Sequence, residues 1–243
     1  MKHLKTIIIA MLLLAVCSCT KNNVVSNGRV VFEVANDQSV ADKTKSNVSD
    51  YTSLPSSGDF VLSITDSESA PVWSGKVSEW DPATQLLAGN YNVTASYGSV
   101  DNEGFDCPYF DGSASFAVTG GQSVNVQIPV KLGNTVVKVT CTQNFKNYYK
   151  DYSFVLKRSG KDIATFVKDE ERGAFVDGYR FTLEGTLTGE TKTQTFSKEY
   201  TNLEAATAYN FVFDADNVGG SSITIRFNEN VETVELGDVE LND

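Results

Sequence analysis

Chemistry at a protein site needs a nucleophile, a base, a metal cage or a phosphate cradle, and this sequence is short of all four. Its one histidine, His3, precedes an apolar run from Ile7 to Val16 that reads as part of an export signal. The processed chain then holds no histidine, which excludes a Ser-His-Asp triad, a Cys-His pair and the histidine-bearing zinc sites. Glycine-rich nucleotide loops are absent. No catalytic residue, metal or cofactor is expected. A glycan hydrolase built on two carboxylates facing across a cleft stays open as an alternative. The acids, however, scatter through segments such as Asp101-Asn102-Glu103 and Lys168-Asp169-Glu170-Glu171, which read as solvated loops. Two clusters have the oxygen content to wrap a hard cation: Asp101, Asn102, Glu103 and Asp106, and Asp214, Asp216 and Asn217 followed by Gly219-Gly220. Neither follows the helix-loop-helix calcium pattern. Turns between strands account for the same Asp, Asn and Gly content.

The cysteines carry the most specific chemistry. Lys2, His3 and Lys5 precede the apolar run, which is far too short to span a bilayer as a helix. The run ends Leu14-Ala15-Val16-Cys17-Ser18-Cys19 and resembles the lipobox of bacterial lipoproteins. There a thiol takes diacylglycerol as a thioether, and cleavage frees the cysteine amine for a further acyl chain. Cys19, preceded by Ser18, is the expected lipid site, with Cys17 the alternative. More than one acyl chain holds a protein firmly at a membrane, which becomes an expected partner through the N-terminal lipid. An ordinary cleaved signal with incidental cysteines is the competing reading. In the body, Cys141 sits in an alternating strand and reads as a small buried hydrophobe, and Cys107 sits in a loop beside Pro108. Export permits a bridge between them without requiring one.

Loss of Lys2 and Lys5 takes the net charge from −11 to −13. With no basic patch to reverse this locally, a nucleic-acid partner is not expected. The aromatic residues point elsewhere. Trp73 and Trp80 flank a polar stretch, Tyr109 and Phe110 share a loop with Cys107 and Pro108, and Tyr148 and Tyr149 are adjacent. Exposed rings stack on sugars or anchor protein interfaces, so Tyr109, Phe110, Trp73 and Trp80 form the candidate binding surface, with the Tyr109–Phe110 loop foremost. The competing reading places these rings in a core or at its ends.

These residues must be held by strands. Phe60, Leu62 and Ile64 alternate, as do Tyr91, Val93, Ala95 and Tyr97, then Phe116 and Val118, then Val124, Val126, Ile128 and Val130. Gly120-Gly121 predicts a tight hairpin turn. After Gly133 the pattern resumes at Val137, Val139 and Cys141. It continues at Phe154 and Leu156, Phe181 and Leu183, Tyr209, Phe211 and Phe213, Ile223, Ile225 and Phe227, and Val234 and Leu236. Gln143–Asp151 reads as one helical turn or a bulged connection. The polar stretch Ala35–Gly58 reads as a long loop, with a small strand or partial disorder as alternatives within it. Two sets emerge. Gly28–Val34 matches Thr135–Cys141 as an opening strand, and the run from Leu87 to Tyr91-Asn92-Val93 matches that from Leu203 to Tyr209-Asn210-Phe211. The expectation is an all-β protein: a signal peptide (1–18), a lipidated tether (19–27) and two tandem immunoglobulin-like or transthyretin-like β-sandwiches (28–131 and 132–243).

Ordered pieces of the chain resemble a family of uncharacterised surface lipoproteins common in gut Bacteroidota. They are Gly28-Arg29-Val30-Val31-Phe32, Asp59 to Ile64, Leu87 to Gly98, Phe105 to Gly112, and Val130-Lys131-Leu132-Gly133-Asn134. The family looks akin to fimbrillin-like, adhesion-associated sandwich lipoproteins. The resemblance implies a non-catalytic role in adhesion or surface assembly, with a glycan or a surface protein as partner; a glycan-binding module is an alternative. It also implies outer-membrane anchoring and display at the cell surface. Surface-exported lipoproteins of that phylum carry acidic residues after the lipidated cysteine. Here Cys19 is followed by Thr20-Lys21-Asn22-Asn23, which leaves a periplasmic face as the alternative.

Overall fold

The computed structural model describes residues 26–39, 46–215, 222–227, 230–235 and 237–238. The signal segment, Cys17, Cys19, most of the tether, and Asp216, Asn217 and Gly219-Gly220 lie outside the described residues. In the first half the strands are β1 (Asn27–Asp37), β2 (Val61–Asp66), β3 (Pro71–Lys76), β4 (Gln85–Leu87), β5 (Gly89–Tyr97), β6 (Gly104–Phe105), β7 (Phe110–Val118) and β8 (Ser123–Leu132). The second half has β9 (Thr135–Cys141), α1 (Gln143–Tyr148), β10 (Asp151–Arg158), β11 (Lys161–Val167), β12 (Ala174–Val176), β13 (Arg180–Thr188) and β14 (Thr193–Thr201). It ends with β15 (Ala208–Asp214), β16 (Ser222–Phe227), β17 (Asn230–Glu235) and β18 (Gly237–Asp238). The architecture is all-β, and α1 is the ambiguous 143–151 segment resolved as a helical turn.

Alternation sets which face each strand buries. In β1 the pattern buries Val30, Phe32 and Val34; in β2 and β5 it buries Leu62 with Ile64 and Tyr91, Val93 and Ala95. Each such side chain contributes about 1.5–3 kcal/mol when withdrawn from water. These strands form one seven-stranded sheet in the order β3-β2-β5-β7-β8-β1-β4. The sheet curls over one corner, where β7 and β8 pair only through Phe110–Gly112 and Val130–Leu132. Gly112 is required there, since a Cβ would sit 1.9 Å from the Pro129 carbonyl oxygen. Past the corner β7 pairs with β5 and β8 runs parallel to β1. Phe32 of β1 then meets Phe116 of β7 edge-on across the core at 5.5 Å. The expected tight turn at Gly120-Gly121 forms, with the Gln122 N–H donating to the Thr119 carbonyl at 3.1 Å, but the antiparallel β7 and β8 that it joins splay apart beside it and pair only at their far ends.

The second half repeats this plan. Its sheets run β11-β10-β13-β14-β18 and β17-β16-β15-β9-β12-β6. The order β3-β2-β5-β7 recurs as β11-β10-β13-β14, and β8-β1-β4 recurs as β15-β9-β12. Both parallel pairs recur too, β1 with β8 and β9 with β15. Phe154, Leu156, Phe181 and Leu183 of one sheet share a core with Val139, Phe211, Phe213 and Ile225 of the other. The strand orders thus correspond, with β9 in the place of β1. The Tyr-Asn correspondence is corrected: β15 occupies the place of β8, and β5 is matched by β13. Short loop similarity misled because a Leu-to-Tyr approach suits any strand entering a core.

Within the polar 35–58 stretch, residues 40–45 lie outside the described residues, and those on either side are more ordered than their composition implies. β1 extends to Asp37, a 3-10 turn covers Val48–Asp50, and Val48 and Tyr51 are buried.

Candidate functional site

The acidic loop Asp101–Asp106 joins the two halves. Glu103 is 6 % exposed at its side chain and meets the Arg158 guanidinium, with Nε at 2.7 Å and Nη2 donating at 2.9 Å. It also accepts the Asp177 N–H at 2.8 Å. Asp106, in the left-handed region that Asp tolerates, accepts from Arg172 Nη1 at 3.0 Å and from Thr52 Oγ1 at 3.1 Å. The Arg172 guanidinium lies 4.4 Å from the centre of the Phe105 ring and pairs with Glu170 at 2.9 Å. Hydrogen bonds to Glu103 and to Glu170 raise the pKa of Arg158 and Arg172 respectively, and the Arg172 partner pulls Glu170 down to about 2. Between the arginine pairs, β6 hydrogen-bonds β12, so a strand of the first half extends a sheet of the second. The loop read as a candidate cation site is a seam: the Glu103 and Asp106 carboxylates face arginine donors. Among the described residues no group of three or more His, Cys, Asp and Glu side chains is placed to hold a metal ion.

The Tyr109–Phe110 loop lies on the same seam. Phe110 is 0 % exposed and packs toward Phe60 at 6.1 Å. It opens β7 facing inward, so it is corrected from surface to core. Tyr109 is half-buried, and its N–H donates to Asn134 Oδ1 at 3.2 Å. Its carbonyl accepts from Gly133 N at 2.8 Å. Asn134, 1 % exposed, returns a hydrogen bond from Nδ2 to the Cys107 carbonyl at 3.1 Å. Tyr51 completes the seam by exchanging hydrogen bonds with the Asn210 amide at 3.2 and 3.3 Å.

Trp80 is likewise corrected to the core. It is 7 % exposed, donates Nε1–H to the Val30 carbonyl at 2.9 Å, and lies 5.1 Å from Phe32. Trp73, half-buried, stands edge-on to Trp80 at 5.0 Å. The pair closes one end of the first core. Phe145 and Tyr149 close the second core beside α1, and burial pushes the Tyr149 hydroxyl up to about 12. Cys107 and Cys141 are free thiols, with Cys141 pushed to about 12 by burial.

Two clefts stand out. One of about 410 Å³ lies against the β9 edge from Lys138 to Cys141 and includes Asp169, Glu170 and Glu171. Asp169 is paired with Lys146 at 2.8 Å and its pKa is lowered by that bond. Glu170 is lowered further, as described above. A glycosidase acid needs the opposite shift. The second cleft, about 360 Å³, lies beside Tyr179, which is 72 % exposed. Arg158, Arg172, Asn134 and Tyr179 escaped sequence reading. Of these, only Asn134 carried a signal, as the polar end of the short link between halves.

A protein-family profile described as a domain of unknown function (DUF4493) matches residues 26–242. No curated protein matches the chain. Among solved structures, a fimbrial assembly protein from Parabacteroides distasonis aligns at 6 % identity over 86 % of this chain and 98 % of its own, with a TM-score of 0.46. A candidate cell adhesion protein from Bacteroides ovatus aligns at 11 % identity over 90 % and 99 %, with a TM-score of 0.46. A candidate polysaccharide-binding protein from Bacteroides thetaiotaomicron aligns at 10 % identity over 86 % and 98 %, with a TM-score of 0.40.

Proposed function

The chain belongs to this family of unknown function, and we propose that it is a non-catalytic surface protein that works by attachment, in adhesion or in assembly, from a lipid on Cys19. The observation that carries this reading is the use made of its reactive-looking groups. Glu103, Asp106, Glu170, Arg158 and Arg172 tie two strand-matched halves together at a seam. Such a body is a spacer and a display frame. Each half is a β-sandwich of the immunoglobulin-like or transthyretin-like kind, spanning 28–131 and 132–243.

The strand directions support the layout. β1 leaves the tether at Asn27, and β8 runs parallel to it and ends at the seam. The start of β1 and the seam therefore lie at opposite ends of the first unit, about 30 Å apart at the rise of a β-strand. The second unit lies beyond, held off the membrane. Weak contacts made by many anchored copies gain strength from multivalency. On this reading the anchor sits in the outer membrane with the body facing outward.

Cells displaying the full chain, compared with cells expressing a form with both Cys17→Ala and Cys19→Ala, test the proposal. Intact mass of the membrane form should show acyl chains on Cys19, and displayed chain should increase cell retention on glycan-coated or cell-coated surfaces in proportion to its density. Turnover of a glycan that disappears on replacing one acidic pair would overturn it.

A further inference from the structure

We propose that the groove beside Tyr179 is a subsite for a neutral oligosaccharide, with the Tyr179 ring as stacking platform and Arg180 and Glu199 as the polar pair that reads ring hydroxyls. The proposal deepens the attachment reading and rests on it.

Tyr179 is the one aromatic side chain in the exposed class among the described residues. Every seam and core aromatic has a packing duty; this ring has none. Its backbone is nevertheless pinned. Gly178 takes φ +107°, a conformation closed to most side chains, and turns the chain sharply into Tyr179. The Tyr179 carbonyl accepts from Leu203 N at 3.1 Å. The next residue, Arg180, already pairs with Thr201 in the β13–β14 ladder. A large, rigid, amphipathic ring on a fixed backbone loses little freedom when it binds, which is what a stacking platform requires.

The chemistry around the ring selects the ligand class. Arg180 Nη1 and Glu199 Oε1 stand 3.7 Å apart, both largely exposed. Together they offer a fork of donors and a pair of acceptors to neighbouring hydroxyls, each of which is both donor and acceptor. The other cations at the groove are already matched: Lys157 pairs with Glu184 and Asp162, and Arg158 with Glu103. With cations balanced by carboxylates, the groove has no net attraction for an anionic glycan. Ser159, Gly160 and Thr182 also line it. A protein anchor of the hot-spot kind sits in an apolar, water-excluding surround; this lining is polar and open, which suits a hydrated sugar. At about 360 Å³ the groove has the size of a small-molecule site.

The test measures binding of the full-length chain to a panel of neutral oligosaccharides of β-linked glucose, β-linked xylose and α-linked mannose, beside an acidic galacturonan probe. At least one neutral probe should bind. Tyr179→Ala should weaken it about tenfold or more, a difference of about 1.4 kcal/mol. Tyr179→Phe should keep most of the affinity, and Arg180→Ala should lower it with no change in melting temperature. Added salt should leave affinity unchanged. No neutral probe binding, equal binding by Tyr179→Ala, or preference for galacturonan overturns the subsite. Two patterns separate this failure from that of the attachment reading. If displayed chain still retains cells while Tyr179→Ala binds sugars as well as wild type, only the subsite fails. If the probes bind through Tyr179 yet displayed chain retains no cells, the subsite stands and attachment fails.

Discussion

Asn134→Ala tests whether the link between halves is a structural joint. The amide holds two groups of the neighbouring loop, the Tyr109 N–H at 3.2 Å and the Cys107 carbonyl at 3.1 Å, from a position 1 % exposed. Alanine leaves both without that partner. A buried polar group left unmatched costs about 1–3 kcal/mol. Tyr109 and Cys107 are themselves only half-buried, so water offsets part of this, and about 2–3 kcal/mol in total is expected at the low end of that range. For a chain of this size each kcal/mol moves the melting temperature by about 2–4 °C, giving a fall of about 4–12 °C. Asn134→Asp sharpens the test. The carboxylate still accepts from Tyr109 but faces the Cys107 carbonyl with no proton to give. Burial raises its folded pKa above the unfolded value of about 3.9. Its stability contribution is then fully present below the unfolded value and lost as pH rises through the folded one. Measured against wild type at each pH, the Asp variant should resemble Ala near pH 7, about the neutral point, and recover on acidification. Thermal unfolding monitored by circular dichroism reads both effects. An Asn134→Ala variant within about 0.5 kcal/mol of wild type would refute the joint.

The remaining predictions probe other parts of the seam and cores. Arg172 holds the Glu170 carboxyl at about 2. Since the folded value is depressed, the associated stability is present above the unfolded value and lost as pH falls toward 2; Glu170→Gln should flatten that acid limb in urea titrations. Trp80→Phe should cost about 1 kcal/mol for the lost bond to Val30, and Trp80→Ala about 3–5 kcal/mol. Near-neutral values for both in chemical denaturation would return Trp80 to the surface. Cys141, pushed to about 12 by burial, should resist alkylation in native protein at mildly alkaline pH and react once urea unfolds the chain. Native labelling at the rate of a free thiol contradicts its placement.

Strand existence and inward faces were legible because burial on one side of a sheet forces a period of two. Phe60, Leu62, Ile64, Val93, Val126 and Ile128 follow it and are buried. Partner choice was not legible. The residues flanking Gly120-Gly121 alternate as a hairpin would, and nothing local records that β7 turns to β5 while β8 turns to β1. Only Gly112, where backbones come within reach of each other, marks the corner, and an isolated glycine in a strand has several other meanings. Two of the candidate binding aromatics, Trp80 and Phe110, are buried, and their burial was not legible for a related reason. Trp80 and Phe110 sit at element ends, where period arguments lose their phase, and composition cannot tell an end-plug from an exposed platform. Tyr179 gives no signal on the same ground, lying one residue before β13 in a segment with no pattern of its own.

The seam explains why the acidic loop misled as well. Asp101, Asn102, Glu103 and Asp106 have the composition of a cation loop, but what a carboxylate does depends on which cation reaches it first. Here Arg158, at the end of β10, and Arg172, in the loop before β12, come from more than fifty residues away. Bringing them there requires the β6–β12 pairing and the turn at Gly104, whose φ of +124° permits the chain to leave the first half and join a sheet of the second. A metal would compete with two guanidinium groups already in place, and displacing them would leave Arg158 partly buried without its counter-charge, a change that costs several kcal/mol when the pair is fully desolvated. The same arrangement that occupies Glu103 and Asp106 with guanidinium groups ties the loop to the sheet that β6 joins. It also seats Arg158 beside Tyr179 with its charge already matched. Joint and groove are therefore coupled: loosening Glu103 would both free the second unit and place an unpaired cation in the groove. Replacing Glu103 should accordingly shift sugar preference from neutral to acidic probes, an outcome that loss of a purely mechanical tie would not produce.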